Sequence, residues 1–169
     1  MKKFEHGGNI HRASQEAVKN GGQILDFSAN INPLGPPEWL RPILSRELDQ
    51  VFHYPDPENL RLVSAIAKHL DVDRDCVVAG NGTTELLYSM MRALPCTRVV
   101  IPVPSYVDYV RAAEIAGKEV LLFNLKEEDE FSLNAYELQK ILLPGDLVII
   151  AVPNNPTGKI PPRDSVVAL

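Results

Sequence analysis

Apolar and polar positions follow two alternating periods through most of this chain. Residues 58–70 place Val63, Ile66, Ala67 and Leu70 on one face at helical spacing, and residues 84–94 do the same with Leu87, Met90, Met91 and Leu94. Between and after them lie short apolar runs. Residues 76–79 end at Gly80, residues 98–103 are bounded by Pro102 and Pro104, residues 119–125 precede an acidic turn at 126–130, and residues 147–152 are almost wholly aliphatic. These read as four buried strands. Two more helices are predicted: 107–116, stopped by Gly117, and 134–142, stopped by Pro144-Gly145. The ending, 162–169, reads as the start of another helix. Residues 1–56 lack this rhythm; short helices are expected near 11–19 and 37–48, in an extended arm and small-domain segment. The expected organisation is therefore 1–56 and 57–169.

Strand and helix alternate from residue 57 at βαβ spacing, which predicts an α/β fold with a parallel-rich sheet and helices on both faces. Ligands in such sheets bind beyond the carboxyl ends of strands. That directs attention to three loops: residues 80–84, 104–106 and 153–158. Composition narrows the ligand. The 169 residues carry 17 basic and 22 acidic side chains, net −5, which argues against a general nucleic-acid surface and for small-molecule chemistry. No apolar run approaches the ~20 residues that span a bilayer, and residues 1–8 hold no signal core. Cys76 and Cys96 make neither a disulfide framework nor a metal-ligand spacing, so a cytoplasmic chain without a metal is expected.

Each loop offers specific chemistry and a plainer alternative. In Gly80-Asn81-Gly82-Thr83-Thr84-Glu85, glycines let amides turn toward a ligand, the helix start adds unpaired N–H groups, and two threonines add hydroxyls. This suits a phosphate monoester. A tight turn capped by Thr83 serves equally well; neither a Walker loop nor a dinucleotide fingerprint is present. Tyr106 can stack on a planar ring or sit at the core edge with its hydroxyl in water. Asn154-Asn155-Pro156-Thr157-Gly158 can aim an amide at a phenolate or carboxylate, or form a simple Asn-Pro turn.

Together these loops carry a resemblance. Residues 153–158 are similar to the loop of fold-type I pyridoxal-phosphate enzymes in the aspartate aminotransferase superfamily. Residues 80–85 resemble their phosphate loop as found in the histidinol-phosphate aminotransferase branch, and Tyr106 matches their ring-stacking aromatic. Within that branch, His6-Gly7-Gly8-Asn9-Ile10 followed by Asp26-Phe27-Ser28-Ala29-Asn30-Ile31-Asn32-Pro33-Leu34-Gly35 resembles the L-threonine-O-3-phosphate decarboxylase family of cobalamin synthesis. The resemblance implies pyridoxal 5'-phosphate as cofactor. Gly82, Thr83 and Thr84 would hold its phosphate, Tyr106 would stack on its ring, and Asn155 would donate to its O3′ near the substrate carboxylate. His6, Gly7, Asn30 and Asn155 would contact a small phosphorylated amino acid, which the enzyme decarboxylates to (R)-1-aminopropan-2-yl phosphate.

The resemblance also implies residues that find no match. The family's Schiff-base lysine, its pyridine-pairing Asp and its carboxylate arginine fall beyond the Asn-Asn-Pro-Thr-Gly loop, and neither Lys118 nor Lys159 stands in such a position. The expectation is a truncated, inactive N-terminal piece of a longer chain that is a homodimer when complete, with no nucleic-acid or membrane partner. Two other readings stand beside it: a histidinol-phosphate aminotransferase, and a non-catalytic binding module.

Overall fold

The computed structural model describes residues 14–15, 25–27, 29–167 and 169. The chain divides into two compact units, with the boundary between Ala79 and Gly80.

In the unit from Gly80 to Leu169, helix α3 (Thr83–Ala93) leads to strand β1 (Arg98–Val103), helix α4 (Val107–Ile115) and strand β2 (Glu119–Asn124). Helix α5 (Ala135–Gln139), strand β3 (Leu147–Val148) and helix α6 (Arg163–Val167) follow. The sheet order is β2-β1-β3, all parallel. Arg98 pairs with Glu119 and Val103 with Asn124, while Val99 and Val100 face Leu147 and Val148. As the central strand, β1 is covered on both faces: Val99, Val100, Ile101 and Pro102 are all buried. A parallel central strand needs such an unbroken apolar run. Leu87 and Met91 of α3 and Ala112 and Ala113 of α4 pack with Val99 and Ile101 into one cluster. The small alanines let α4 lie close to the strands.

Polar ties fasten the sheet's lower end. The Arg98 guanidinium grips Asp146 twice, Nε to Oδ1 at 2.8 Å and Nη2 to Oδ2 at 2.5 Å, and also donates to the Ile141 carbonyl. Asp146 accepts a further bond from the Leu143 N–H. The hydrogen bond from Arg98, and then the one from Leu143, hold the Asp146 carboxyl below its ordinary pKa, and the hydrogen bond to Asp146 raises that of Arg98. Lys118 Nζ donates to the carbonyls of Leu94 and Cys96, fixing the turn before β2 against the turn before β1. Gly117, at φ +71°, ends α4 in the left-handed conformation that favours glycine.

Among the described residues, the regular structure of the unit before Gly80 is helical. Helix α1 (Leu40–Glu47) runs into a 3₁₀ turn, Leu48–Gln50, and helix α2 (Leu60–Leu70) is followed by a 3₁₀ turn, Arg74–Cys76. Asp56 accepts from the N–H groups of Glu58 and Leu60 and so secures the entry to α2. On the face expected to be apolar, Ala67 is buried and Val63 and Ile66 are half-buried, but Leu70 is exposed. Of the helix expected at 11–19, only Ser14 and Gln15 are described, and both are helical.

Two strand expectations need correction. Residues 76–79 form no strand among the described residues. Asp73 accepts from the Asp75 N–H and starts a 3₁₀ turn through Cys76, and the extended stretch after it has no ladder partner, leaving Val78 78% exposed. The run 147–152 pairs only at Leu147–Val148, with one more bond from the Ile149 N–H to the Val100 carbonyl. A strand exists only where a neighbour accepts its backbone bonds, and an apolar run says nothing about that neighbour.

Candidate active site

The loop before α3 is shaped by two glycines with different constraints. A Cβ on Gly80 would come within 2.8 Å of Leu86 Cδ2, so a larger residue there would need the Leu86 side chain to shift. Gly82 caps α3 at φ +93°, ψ 163°, a conformation open essentially to glycine alone, with open space where a Cβ would be. No side chain caps this helix. Its first N–H groups have no intrahelical acceptor, and Gly82, Thr83 and Thr84 are exposed. Glu85 reaches back to accept from the Asn81 N–H and closes the loop behind the helix start. The turn capped by Thr83 is thus not what forms; the cap is Gly82, and neither threonine hydroxyl is used as the cap.

Tyr106 precedes α4 and belongs to the loop at the carboxyl end of β1. Its hydroxyl donates to Asp108 Oδ2 at 2.9 Å, and Thr84 Oγ1 lies 3.5 Å from both Tyr106 Oη and Asp108 Oδ2. Its ring meets Tyr109 edge-on, centroids 5.5 Å apart. Burial, followed by the nearby Tyr106, pushes the Tyr109 phenol above its ordinary pKa. The expected phosphate loop and the expected stacking aromatic are therefore neighbours in space, although 22 positions separate Thr84 from Tyr106.

The third loop is tied to the second through Asn154. Its amide Nδ2 donates to the Pro104 carbonyl and to Thr157 Oγ1, both at 2.9 Å, while Asn154 N and the Lys159 carbonyl close the loop at 2.9 Å. Asn155 is left exposed on the turn so formed. Lys159 Nζ pairs with Glu130 at 2.6 Å, and this contact lowers the Glu130 pKa. Asn30 is exposed and belongs to the other unit. His6 and Gly7 lie outside the described residues.

The donor set fits a phosphorylated planar cofactor. An uncapped helix start, two hydroxyls and an adjacent aromatic face match a phosphate dianion attached to a ring. A cavity of about 380 Å³ is lined by Pro102, Tyr109, Leu125, Phe131, Ile149 and Asn154 among others, and neither Thr84, Tyr106 nor Asn155 borders it.

Comparison with known proteins decides the family. Residues 22–169 match the aminotransferase class I and II family. The chain belongs to that family. It is 37% identical over 164 residues to a threonine-phosphate decarboxylase of Salmonella typhimurium, covering 97% of this chain and 45% of the relative. With a protein of Leptospira interrogans described as adenosylcobalamin biosynthesis bifunctional protein CobDQ it shares 39% over 158 residues, 91% of this chain and 18% of that one. With a histidinol-phosphate aminotransferase of Methanococcus aeolicus it shares 30% over 145 residues, 83% of this chain and 39% of that one.

Solved structures agree on the fold. An aspartate aminotransferase from Thermotoga maritima superposes with TM-score 0.82 at 26% identity, over 93% of this chain and 45% of that one. An L-threonine-O-3-phosphate decarboxylase from Porphyromonas gingivalis gives 0.73 at 25%, over 86% and 42%. The expected fold class, a fold-type I transferase with a parallel-rich sheet, is what these neighbours share. The chain spans less than half the length of the relatives it matches. Family members use pyridoxal phosphate. Among the described residues no helix is long and apolar enough to cross a membrane.

Two residues of this site were not foreseen from sequence. Asn154 was passed over for its neighbour Asn155, although either can brace a loop. Asp108 reads in sequence as an acidic residue in the first turn of a helix, where the dipole favours it; only the fold shows it buried against Tyr106.

Proposed function

We propose that this chain supplies the phosphate-holding and ring-stacking part of a pyridoxal-phosphate-dependent carboxy-lyase acting on L-threonine O-3-phosphate in cobalamin biosynthesis. The observation that carries the reading is the uncapped start of α3 with Tyr106 beside it, Thr84 Oγ1 lying 3.5 Å from the phenol oxygen. The choice of substrate is supported by greater identity to the threonine-phosphate decarboxylase, 37%, than to the histidinol-phosphate aminotransferase, 30%.

Pyridoxal phosphate, when bound, supplies an electron sink for the charge left on an amino acid's α-carbon. The chain's residues divide the remaining work. Gly82, Thr83 and Thr84 hold the phosphate dianion with N–H groups and hydroxyls. Tyr106 orients the ring by its face, and Asn155 donates an amide N–H to the ring's O3′ and borders the substrate carboxylate. His6, Gly7 and Asn30 contact the phosphothreonine, and the working enzyme is a homodimer.

The test uses the native gene product that carries this chain. Carbon dioxide release from L-threonine O-3-phosphate is expected, with little amino-group transfer from histidinol phosphate. Removing residues 1–8 should raise the KM for phosphothreonine or abolish turnover while cofactor absorbance persists. Efficient transamination of histidinol phosphate that survives the truncation would make the second reading, the aminotransferase, the right one.

A further inference from the structure

Among the described residues, Asp108 is the one charged residue buried over backbone and side chain together, at 2% exposure. It makes none of the cofactor or substrate contacts proposed above. A carboxylate is costly to bury unless a donor meets it, and a donor that meets Oδ2 here comes from the site. Tyr106 donates its phenol proton to Oδ2 at 2.9 Å, a charge-assisted bond. Thr84 Oγ1 stands 3.5 Å from that same oxygen, beyond the usual range for a hydroxyl donor, so the threonine proton is not committed to it. Asp108 therefore sits where the start of α3 and the start of α4 meet, joining two loops that the sequence places far apart.

We infer that Asp108 is the positioning residue of this site: by holding the Tyr106 hydroxyl it fixes the aromatic ring against the Thr84 end of α3. A tyrosine ring turns about two side-chain bonds. Here the hydroxyl is anchored by Asp108 and the ring is braced edge-on by Tyr109, which sets the direction of its face. A phosphate then takes the Thr84 proton without competing for the tyrosine's anchor. The inference rests on the cofactor reading above and adds to it the device that aims the stacking ring.

The experiment is a double-substitution cycle on the full chain, read by pyridoxal-phosphate affinity in equilibrium dialysis and by the circular dichroism induced in the bound cofactor. Thermal unfolding without cofactor reports whether each variant is folded. Asp108→Ala and Tyr106→Phe should each lower affinity about tenfold and change the dichroic band. Combined, they should lower it about tenfold again in total, not a hundredfold, because both remove the same bond. Asp108→Asn keeps an acceptor for the phenol proton and should retain affinity within about threefold and the band's sign; this variant decides the matter if Asp108→Ala does not fold. Additive losses, or a folded Asp108→Ala with unchanged affinity and band, overturn the role alone. Failure of the unsubstituted chain to bind pyridoxal phosphate overturns the cofactor reading and this role with it.

Discussion

The two units of this chain treat similar apolar residues differently. From Gly80 onward, Leu87, Met91, Val99, Ile101, Ala112 and Ala113 pack into one cluster. Before it, Phe27, Leu34, Trp39, Phe52 and Tyr54 are each more than 60% exposed, and Ala67 is the only described residue of that unit that is buried. The difference follows from what the backbone offers. A parallel sheet presents a broad two-sided surface on which helices can lay their apolar faces. Among the described residues, the helices α1 and α2 have no strand in their own unit, so each has less to cover. The candidate site follows the same division: Gly82, Thr84, Tyr106 and Asn155 belong to the unit that holds the sheet, and Asn30 is on an exposed stretch of the other unit.

The sharpest way to break that comparison is to remove one large side chain from each side. Met91→Ala, at a fully buried position, should destabilise the unit from Gly80 by about 3 kcal/mol. Phe52→Ala, at 77% exposure, should stay within about 0.5 kcal/mol. Urea unfolding of both variants measures the contrast, and equal losses would mean that the N-terminal unit is packed as firmly as the sheet.

Next in size comes the loop that leads into α3. Gly82→Ala forces a side chain into φ +93°, a strain on the order of 1–3 kcal/mol, and should weaken both folding and pyridoxal-phosphate binding. Gel filtration with bound cofactor measured by absorbance follows both. Thr84→Val should leave stability alone, since the residue is exposed. It removes a hydroxyl bond to a charged phosphate worth roughly 1.5–3 kcal/mol, so affinity should fall about tenfold or more. Unchanged affinity would make Thr84 a simple helix residue.

The last effect is the pH dependence of one ion pair. Asp146 has a folded-state pKa below its unfolded one, so its contribution is complete above the unfolded value, about pH 4, and is lost as pH falls through the folded value. Asp146→Asn should lower stability at neutral pH and flatten the decline below about pH 4. Unfolding curves at neutral and acid pH test this, and a decline as steep as the unsubstituted chain's would place the acid sensitivity elsewhere.

Local pattern determined a good deal of this protein. The run of residues 98–103 became β1 with the same limits, the stop at Gly117 ended α4, and the amphipathic stretch after Gly82 became α3 within a residue of its expected start. Hydrophobic period, glycine and proline act over a few residues, so a single sequence contains what decides them. The order and composition of the three loops likewise carried the resemblance on which the family reading began. Tertiary structure decided what depends on distant partners. It denied residues 76–79 a ladder, shortened β3 to Leu147–Val148, made Gly82 rather than Thr83 the cap of α3, and buried Asp108 against the hydroxyl of Tyr106. Strand pairing and the burial of a charge are settled by which groups arrive from elsewhere in the chain to satisfy them, and nothing local to those residues encodes that arrival.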